Sequence, residues 1–232
     1  MKILVVLPCF GHGWILKQTI KRWSGADLFV IQDNSQCDVI DVFKELNITP
    51  NIITDEDWYV NKCWNAGMKY FLESDYDLIC LATMDTWMRD NWKAILEHNY
   101  NPLSDEVVLP DFVTEGDLKM EELNQSVPYC ERFLRTSGTG NFATFFNRKA
   151  VELFYPIPDE IKLWYGDEWI FTILRNIGFK TVTYTQLYAY QFGSITVNQN
   201  TKAFDVIQHD KEAWESSVKN KMIDKINYNA NR

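Results

Sequence analysis

The first ninety or so residues alternate short apolar runs with amphipathic segments, and that alternation limits the folds open to the chain. Residues 2–8 are a continuous apolar, β-branched run that ends in a proline and is followed by Gly11 and Gly13. A run apolar at successive positions predicts a strand covered on both faces, as in a parallel sheet, entering a loop. Residues 14–23 then place Ile15, Leu16, Thr19, Ile20 and Trp23 on one helical stripe. Residues 28–32 predict a second strand, stopped by Asp33-Asn34-Ser35. A short helix over 39–46, a third strand over 51–54, a helix over 60–72 and a fourth buried strand over 77–82 follow. Strands and helices alternating at this spacing predict right-handed βαβ units on a parallel sheet. Ligands of such sheets gather beyond the carboxyl ends of the strands. The informative polar residues are therefore those after each strand, at 8–13, 33–35, 55–57 and 83–85.

The second half has a different texture. Residues 115–137 are polar and weakly periodic, and predict a long loop or lid that orders on substrate binding. Residues 138–146 predict a strand, 148–154 a short helix, and the prolines at 156 and 158 a break. A helix over 167–177 is closed by Gly178, and a strand follows over 180–184. Residues 211–226 carry Trp214, Val218, Met222 and Ile226 at helical spacing, with Lys219, Lys221 and Lys225 elsewhere on the surface.

A chain of 232 residues that is 46% hydrophobic can bury one α/β core. Its net charge of −9 counts against a broad surface that tracks a phosphate backbone, which needs clustered Lys and Arg. An acidic chain that handles a polyanionic nucleotide is well served by a divalent cation. The five cysteines, at 9, 37, 63, 80 and 130, form no C-x-x-C pair and are odd in number. Reduced thiols in a cytoplasmic compartment are the expectation. No run approaches the eighteen or so apolar residues of a membrane span, so none is expected. The nine Trp and eleven Tyr serve a core first, but are also the side chains on which sugars and bases stack.

Four places carry side chains suited to chemistry. In Tyr76–Asp85 a buried strand delivers Asp85 at its carboxyl end, where a carboxylate can join substrate phosphates around Mg²⁺ or Mn²⁺, or can simply cap a turn. In Leu163-Trp-Tyr-Gly-Asp-Glu-Trp169, Asp167 opens a helix among aromatics, either as a general base for a hydroxyl or as an ordinary N-cap. Asp33-Asn34-Ser35 can hydrogen-bond a nucleobase or form an Asx turn. His209 is a metal ligand or a surface residue. The phosphate loop G-x-x-x-x-G-K-[ST], G-x-G-x-x-G, H-E-x-x-H and G-x-S-x-G do not occur. Gly138-Thr139-Gly140 is only a G-x-G on a predicted strand.

The order of these signals resembles the GT-A fold nucleotide-sugar transferases, in particular the large inverting family of bacterial polysaccharide and phage glycosyltransferases. Leu7-Pro8-Cys9-Phe10 matches the family's Pro-x-aromatic turn after strand one. Asp33-Asn34-Ser35 is similar to a shortened Asp-Asn-x-Ser, and Asn65-Ala66-Gly67 to its Asn-x-Gly. Thr83-Met84-Asp85 keeps the final residue of Asp-x-Asp, and Gly166-Asp167 the Asp of a Glu-Asp pair ahead of a helix-ending glycine. The resemblance covers about residues 1–210. It implies a GT-A-like α/β fold, with a mostly parallel central sheet flanked by helices, a Rossmann-like N-terminal half and a mixed acceptor-side half. One catalytic domain over 1–210 would divide into a nucleotide-sugar half at 1–100 and an acceptor half at 101–210, with 211–232 as a helical tail.

The same resemblance implies a nucleotide-sugar donor, UDP-linked, with Mn²⁺ or Mg²⁺. Pro8, Phe10, Asp33, Asn34, Asn65 and Thr83 would bind that donor. Asp85 and His209 would hold the metal, and Asp167 would be the base of an inverting displacement. Trp164, Tyr165, Glu168, Gly138 and Thr139 would meet the acceptor, a glycan, a small molecule or a hydroxylated base in phage DNA. Two other readings share the sheet architecture, since fold does not fix function. One is a nucleotidyltransferase, against which the absence of Arg or Lys in residues 9–14 counts. The other is a non-catalytic sugar- or nucleotide-binding module.

Overall fold

Every one of the seven residues of Ile3–Cys9 (β1) is buried, because the strand has a neighbour on each edge and helices on both faces. The computed structural model describes residues 1–33, 37–113, 130–135, 143–191 and 201–231. After β1 come α1 (Gly13–Arg22), β2 (Asp27–Gln32), α2 (Cys37–Glu45), β3 (Ile52–Ile53), α3 (Tyr59–Leu72) and β4 (Leu78–Ala82). β1 pairs in parallel with both β2 and β4, and β2 in parallel with β3. The order β3-β2-β1-β4 is the βαβ arrangement that the alternation predicts.

The chain continues through β5 (Thr86–Met88), α4 (Trp92–Asn99), β6 (Glu106–Val108), β7 (Asp111–Val113), β8 (Arg132–Leu134) and β9 (Ala143–Asn147). It ends with α5 (Arg148–Phe154), α6 (Gly166–Asn176), β10 (Lys180–Tyr184), β11 (Tyr188–Gln191), α7 (Thr201–Ala213), a π-helical turn (Trp214–Val218) and α8 (Lys219–Ala230). β9 runs antiparallel against β4 and β6, whereas β6 and β10 are parallel. The result is an eight-stranded sheet, β3-β2-β1-β4-β9-β6-β10-β8, and a separate three-stranded sheet, β5-β11-β7. This is the expected α/β class, with a large, mostly parallel central sheet flanked by helices.

The pleat of β1 sorts the core into two layers, because alternate side chains leave opposite faces of a strand. Ile3, Val5, Leu7 and Cys9 pack with residues of α1, α2 and α4, including Leu16, Phe43 and Trp92. Leu4 and Val6 pack with α3, α5 and α6 and with Trp214, Val218 and Met222 of the C-terminal helices. Residues 211–226, expected as a helical tail, send Trp214, Val218 and Met222 into this layer, and the helix that enters the segment begins at Thr201. Gly67 on α3 lies so close to β1 that a Cβ there would stand 2.3 Å from a methyl of Val6.

Several short elements carry no sequence expectation: β5, β7 and β11, of three or four residues, and the helix α4. Most of the expected lid at 115–137 lies outside the described residues. Its described part, 130–135, contains β8, which pairs antiparallel with β10, and the buried Cys130. Of the strand expected over 138–146, residues 143–146 fall in β9, and the remainder lies outside the described residues. Among the described residues, no helix is long and apolar enough to cross a membrane.

Candidate active site

Strands β1, β2 and β4 lie side by side and parallel, so the residues after them meet at one edge of the sheet. Asp33, directly after β2, is buried and donates its backbone N–H to the carbonyl of Cys9 at 2.9 Å. Its Oδ1 accepts the N–H of Trp58 at 2.7 Å, and its Oδ2 that of Tyr59 at 3.0 Å. α3 has no side-chain cap of its own, and Asp33 takes two of the amides that a helix start leaves without partners. Burial raises the Asp33 carboxyl above its ordinary value, against the pull of those two N–H groups. Each carboxylate oxygen keeps a second lone-pair site for a ligand. Asn34 and Ser35 lie outside the described residues.

The Asn-x-Gly of α3 is a packing device here. Asn65 donates from Nδ2 to the carbonyl of Ile157 at 2.7 Å and accepts that residue's N–H at 2.9 Å. Gly67 supplies the close approach to Val6. Pro8 is buried within β1, opposite Ile31 of β2. Phe10 is half-buried just beyond the strand, with its backbone N–H 3.3 Å from the Met84 sulfur.

Thr83-Met84-Asp85-Thr86 forms a tight turn at the end of β4, closed by the Thr86 N–H on the Thr83 carbonyl at 3.1 Å. The Thr83 hydroxyl donates to Asp85 Oδ1 at 2.6 Å and lies 2.8 Å from the Thr86 hydroxyl. Since the one Thr83 proton points at the carboxylate, Thr86 is the donor in the second contact. Thr19 of α1 holds the turn from behind: it donates to the Met84 carbonyl at 2.6 Å and accepts the Trp87 indole N–H at 2.8 Å. Asp85 is only 5% exposed. Sequence reasoning placed Thr19 on an apolar stripe, and a threonine among apolar positions was the available sign of a buried polar contact.

The second carboxylate comes from much further along the chain. α6 begins at Gly166-Asp167, behind Tyr165, whose backbone is left-handed at φ 61°. Asp167 accepts the Glu168 N–H at 2.9 Å, while Glu168 accepts the Thr172 hydroxyl one turn on, at 3.1 Å. The loop ahead of them is gripped from two sides. Asn61 of α3 takes its carbonyls, donating from its backbone N–H to Lys162 at 2.9 Å and from Nδ2 to Ile161 and Trp164, each at 3.2 Å. Asp210 of α7 takes its amides: Oδ1 accepts from Lys162 at 3.0 Å, and Oδ2 from Leu163 and Trp164 at 2.7 and 2.8 Å. Gly166 packs so tightly on Asn61 that a Cβ would stand 2.1 Å from Asn61 Oδ1, an oxygen that is buried without a partner. Since Asn61 sits in the first turn of α3, this contact brings the start of α6 to the carboxyl edge of the sheet.

The aromatics around Asp167 divide by exposure. Trp164 is 49% exposed, whereas Trp169 is buried and donates its indole N–H to the Phe154 carbonyl at 2.8 Å. Tyr165 is half-buried and stacks on Trp214, with ring centroids 5.0 Å apart and 13° between the planes. The His209 side chain is 55% exposed, its Nδ1 3.4 Å from Asp210 Oδ1, and Asp210 itself is fully buried. Asp210 and Asn61 were not among the expected site residues. Gly138 and Thr139 lie outside the described residues.

Among the described residues, no three His, Cys, Asp or Glu side chains gather into a set that could hold a metal ion. A closed, fully protein-ligated cage is therefore not built from them. A carboxylate such as Asp85, with one oxygen steadied by Thr83, suits an ion that takes one or two carboxylates and completes its shell with substrate phosphates and water.

The sheet order, with the antiparallel β9 beside β4, is that of a GT-A fold. Solved structures of GT-A-type glycosyltransferases match it over nearly the whole chain. TarS 1–349 of S. aureus superposes with a TM-score of 0.59 at 12% identity, over 94% of this chain and 73% of that one. The same fragment in complex with UDP-GlcNAc gives 0.60 at 12%, over 94% and 68%. GalNAc-T7 with UDP, GalNAc and Mn²⁺ gives 0.61 at 13%, over 92% of this chain and 49% of that one. No protein-family model and no curated protein sequence matches the chain.

Proposed function

We propose that the chain transfers a sugar from a nucleotide-diphosphate donor, UDP-linked, to a hydroxyl acceptor with inversion at the anomeric carbon. The reading rests on two carboxylates: Asp85, buried in the turn after β4, and Asp167, at the start of α6 behind a loop that Asn61 of α3 and Asp210 of α7 clamp. The neighbours' complexes with UDP, UDP-GlcNAc and Mn²⁺ support a nucleotide-sugar donor and a divalent ion.

In this reading the donor lies across the ends of β1, β2 and β4, near Pro8, Phe10, Asp33, Asn34, Asn65 and Thr83. Asp85, one oxygen of which is steadied by Thr83, and His209 would hold the divalent ion. Mn²⁺ or Mg²⁺, when bound, would supply positive charge against the diphosphate of the leaving nucleotide. Asp167 accepts the proton of the acceptor hydroxyl as its oxygen bonds to the anomeric carbon. The bond from that carbon to the diphosphate oxygen breaks on the opposite face, and its electron pair leaves with the nucleotide. Trp164, exposed beside Asp167, offers a flat apolar face to the acceptor, with Tyr165, Glu168, Gly138 and Thr139 around it. The acceptor is a glycan, a small molecule or a hydroxylated nucleobase. The donor half lies at 1–100 and the acceptor half at 101–210, and the helices after position 210 pack onto that unit. The buried thiols Cys9, Cys63 and Cys80 suit a reducing, cytoplasmic compartment.

The test is nucleoside diphosphate release from a panel of nucleotide sugars with Mn²⁺, followed by NMR assignment of the product anomer. Release from a UDP-sugar with an inverted product supports the reading. Pyrophosphate release from a nucleoside triphosphate and a sugar phosphate, or no release from any donor, overturns it.

A further inference from the structure

The segment 161–164 has no regular structure, yet most of its main-chain groups are paired by two residues from outside it. Asn61 serves the carbonyls of Ile161, Lys162 and Trp164, and Asp210 serves the amides of Lys162, Leu163 and Trp164. Asp210 accepts three of these amides from a fully buried position. The Tyr165–Trp214 stack adds a tie from the same C-terminal helix, one turn beyond Asp210. The loop leads into Asp167 within three residues.

We infer that Asp210 is a positioning residue: by fixing three successive amides it sets where Asp167 points, and so makes the C-terminal helix part of the active site. His209 beside it, more than half exposed, contacts the loop's anchor only through Asp210 Oδ1, at 3.4 Å. The inference rests on Asp167 acting as the base. A misplacement of about 1 Å at a reacting group can cost on the order of 10²-fold in rate, which sets the expected size of the effect.

The experiment uses the full chain and two readouts. Asp210→Asn keeps the shape of the side chain but turns an N–H₂ toward amide donors, so one or two of the three contacts fail. Amide hydrogen exchange at 162–164 should accelerate in Asp210→Asn, while exchange in β1 and β4 stays unchanged. In nucleoside diphosphate release, kcat should fall on the order of 10²-fold with little change in donor KM. The double variant Asp210→Asn/Asp167→Asn should be no slower than Asp167→Asn alone, because a residue that works only by placing the base has nothing left to place. Multiplicative losses, or unchanged exchange at 162–164, overturn the inference. If Asp210→Asn does not fold, Asn61→Ser grips the same loop less firmly and should show the same non-additivity; multiplicative losses there also overturn it. If Asp167→Asn itself keeps full activity, the assignment of the base fails, and the exchange at 162–164 still reports whether Asp210 holds the loop.

Discussion

The two carboxylates at the sheet edge are held in contrasting ways. Asp85 sits in a turn supported by the hydroxyls of Thr19, Thr83 and Thr86 and by the Phe10 N–H on the Met84 sulfur, all within the first ninety residues. Asp167 follows a loop held through its main chain, by Asn61 about a hundred residues before it and by Asp210 more than forty after. The first arrangement is complete once the nucleotide-side βαβ units exist. The second needs the whole chain, including α7, in place. The proposed donor side is thus built locally, and the proposed base is placed through long-range contacts.

Breaking each side separately tests the contrast. The largest effect belongs to the metal side: EDTA should reduce nucleoside diphosphate release to background. Asp85→Asn should lose most activity while melting near the wild-type temperature, since an amide oxygen can still accept from Thr83. A rate indifferent to chelator removes the metal role. Next comes Asp167→Asn, expected to lower kcat by about 10²–10⁴-fold with donor affinity retained. Glu168→Gln should be far milder, because that carboxylate is tied to Thr172 of its own helix. Should Glu168→Gln prove the more damaging change, the two residues exchange roles.

A third pair sharpens the difference between local and long-range support. Gly166→Ala drives a methyl into Asn61, and Gly67→Ala drives one into Val6, so each should cost roughly 1–3 kcal/mol in chemical denaturation. Only Gly166→Ala disturbs the Asn61 grip, so it alone should lower kcat in the surviving folded protein. Equal kcat losses in both variants would erase the distinction.

The smallest effect is a pH dependence at Asp33. Burial raises its carboxyl above the unfolded value of about 3.9. Its protonated form is therefore favoured in the fold, and that contribution is present below the unfolded value and lost as pH rises through the folded one. The stability difference between wild type and Asp33→Asn should shift against the wild type as pH climbs from about 4. A difference that stays flat across that range contradicts the burial account.

How much of this was legible in the sequence follows the same division. β1–β4 and their helices could be read because buried parallel strands are continuous apolar runs and the helices between them carry apolar stripes. β5, β7, β8 and β11 could not, since three or four residues hold too little pattern to count. Asp85 and Asp167 stood out by residue type and by their place after a strand or at a helix start. The partners of Asn65 and Asp33 did not, because a backbone amide 25 or 92 residues away leaves no mark on the local sequence. His209 drew attention by its rarity, whereas its neighbour Asp210, one acid among thirty-two acidic residues, carries the buried contacts.

The junction of β4 with β9 also bears on synthesis. All five residues of β4 are buried in the finished sheet, and one edge of the strand is covered only when β9 arrives. About sixty-five residues separate the end of β4 from the end of β9. At a translation rate of about 5–20 residues per second, that edge stands open for roughly three to thirteen seconds on each nascent chain. An apolar strand edge without a partner invites pairing with another chain. Changes that slow the docking of β9 should therefore reduce the soluble yield during expression, while the molecules that do fold keep their full specific activity.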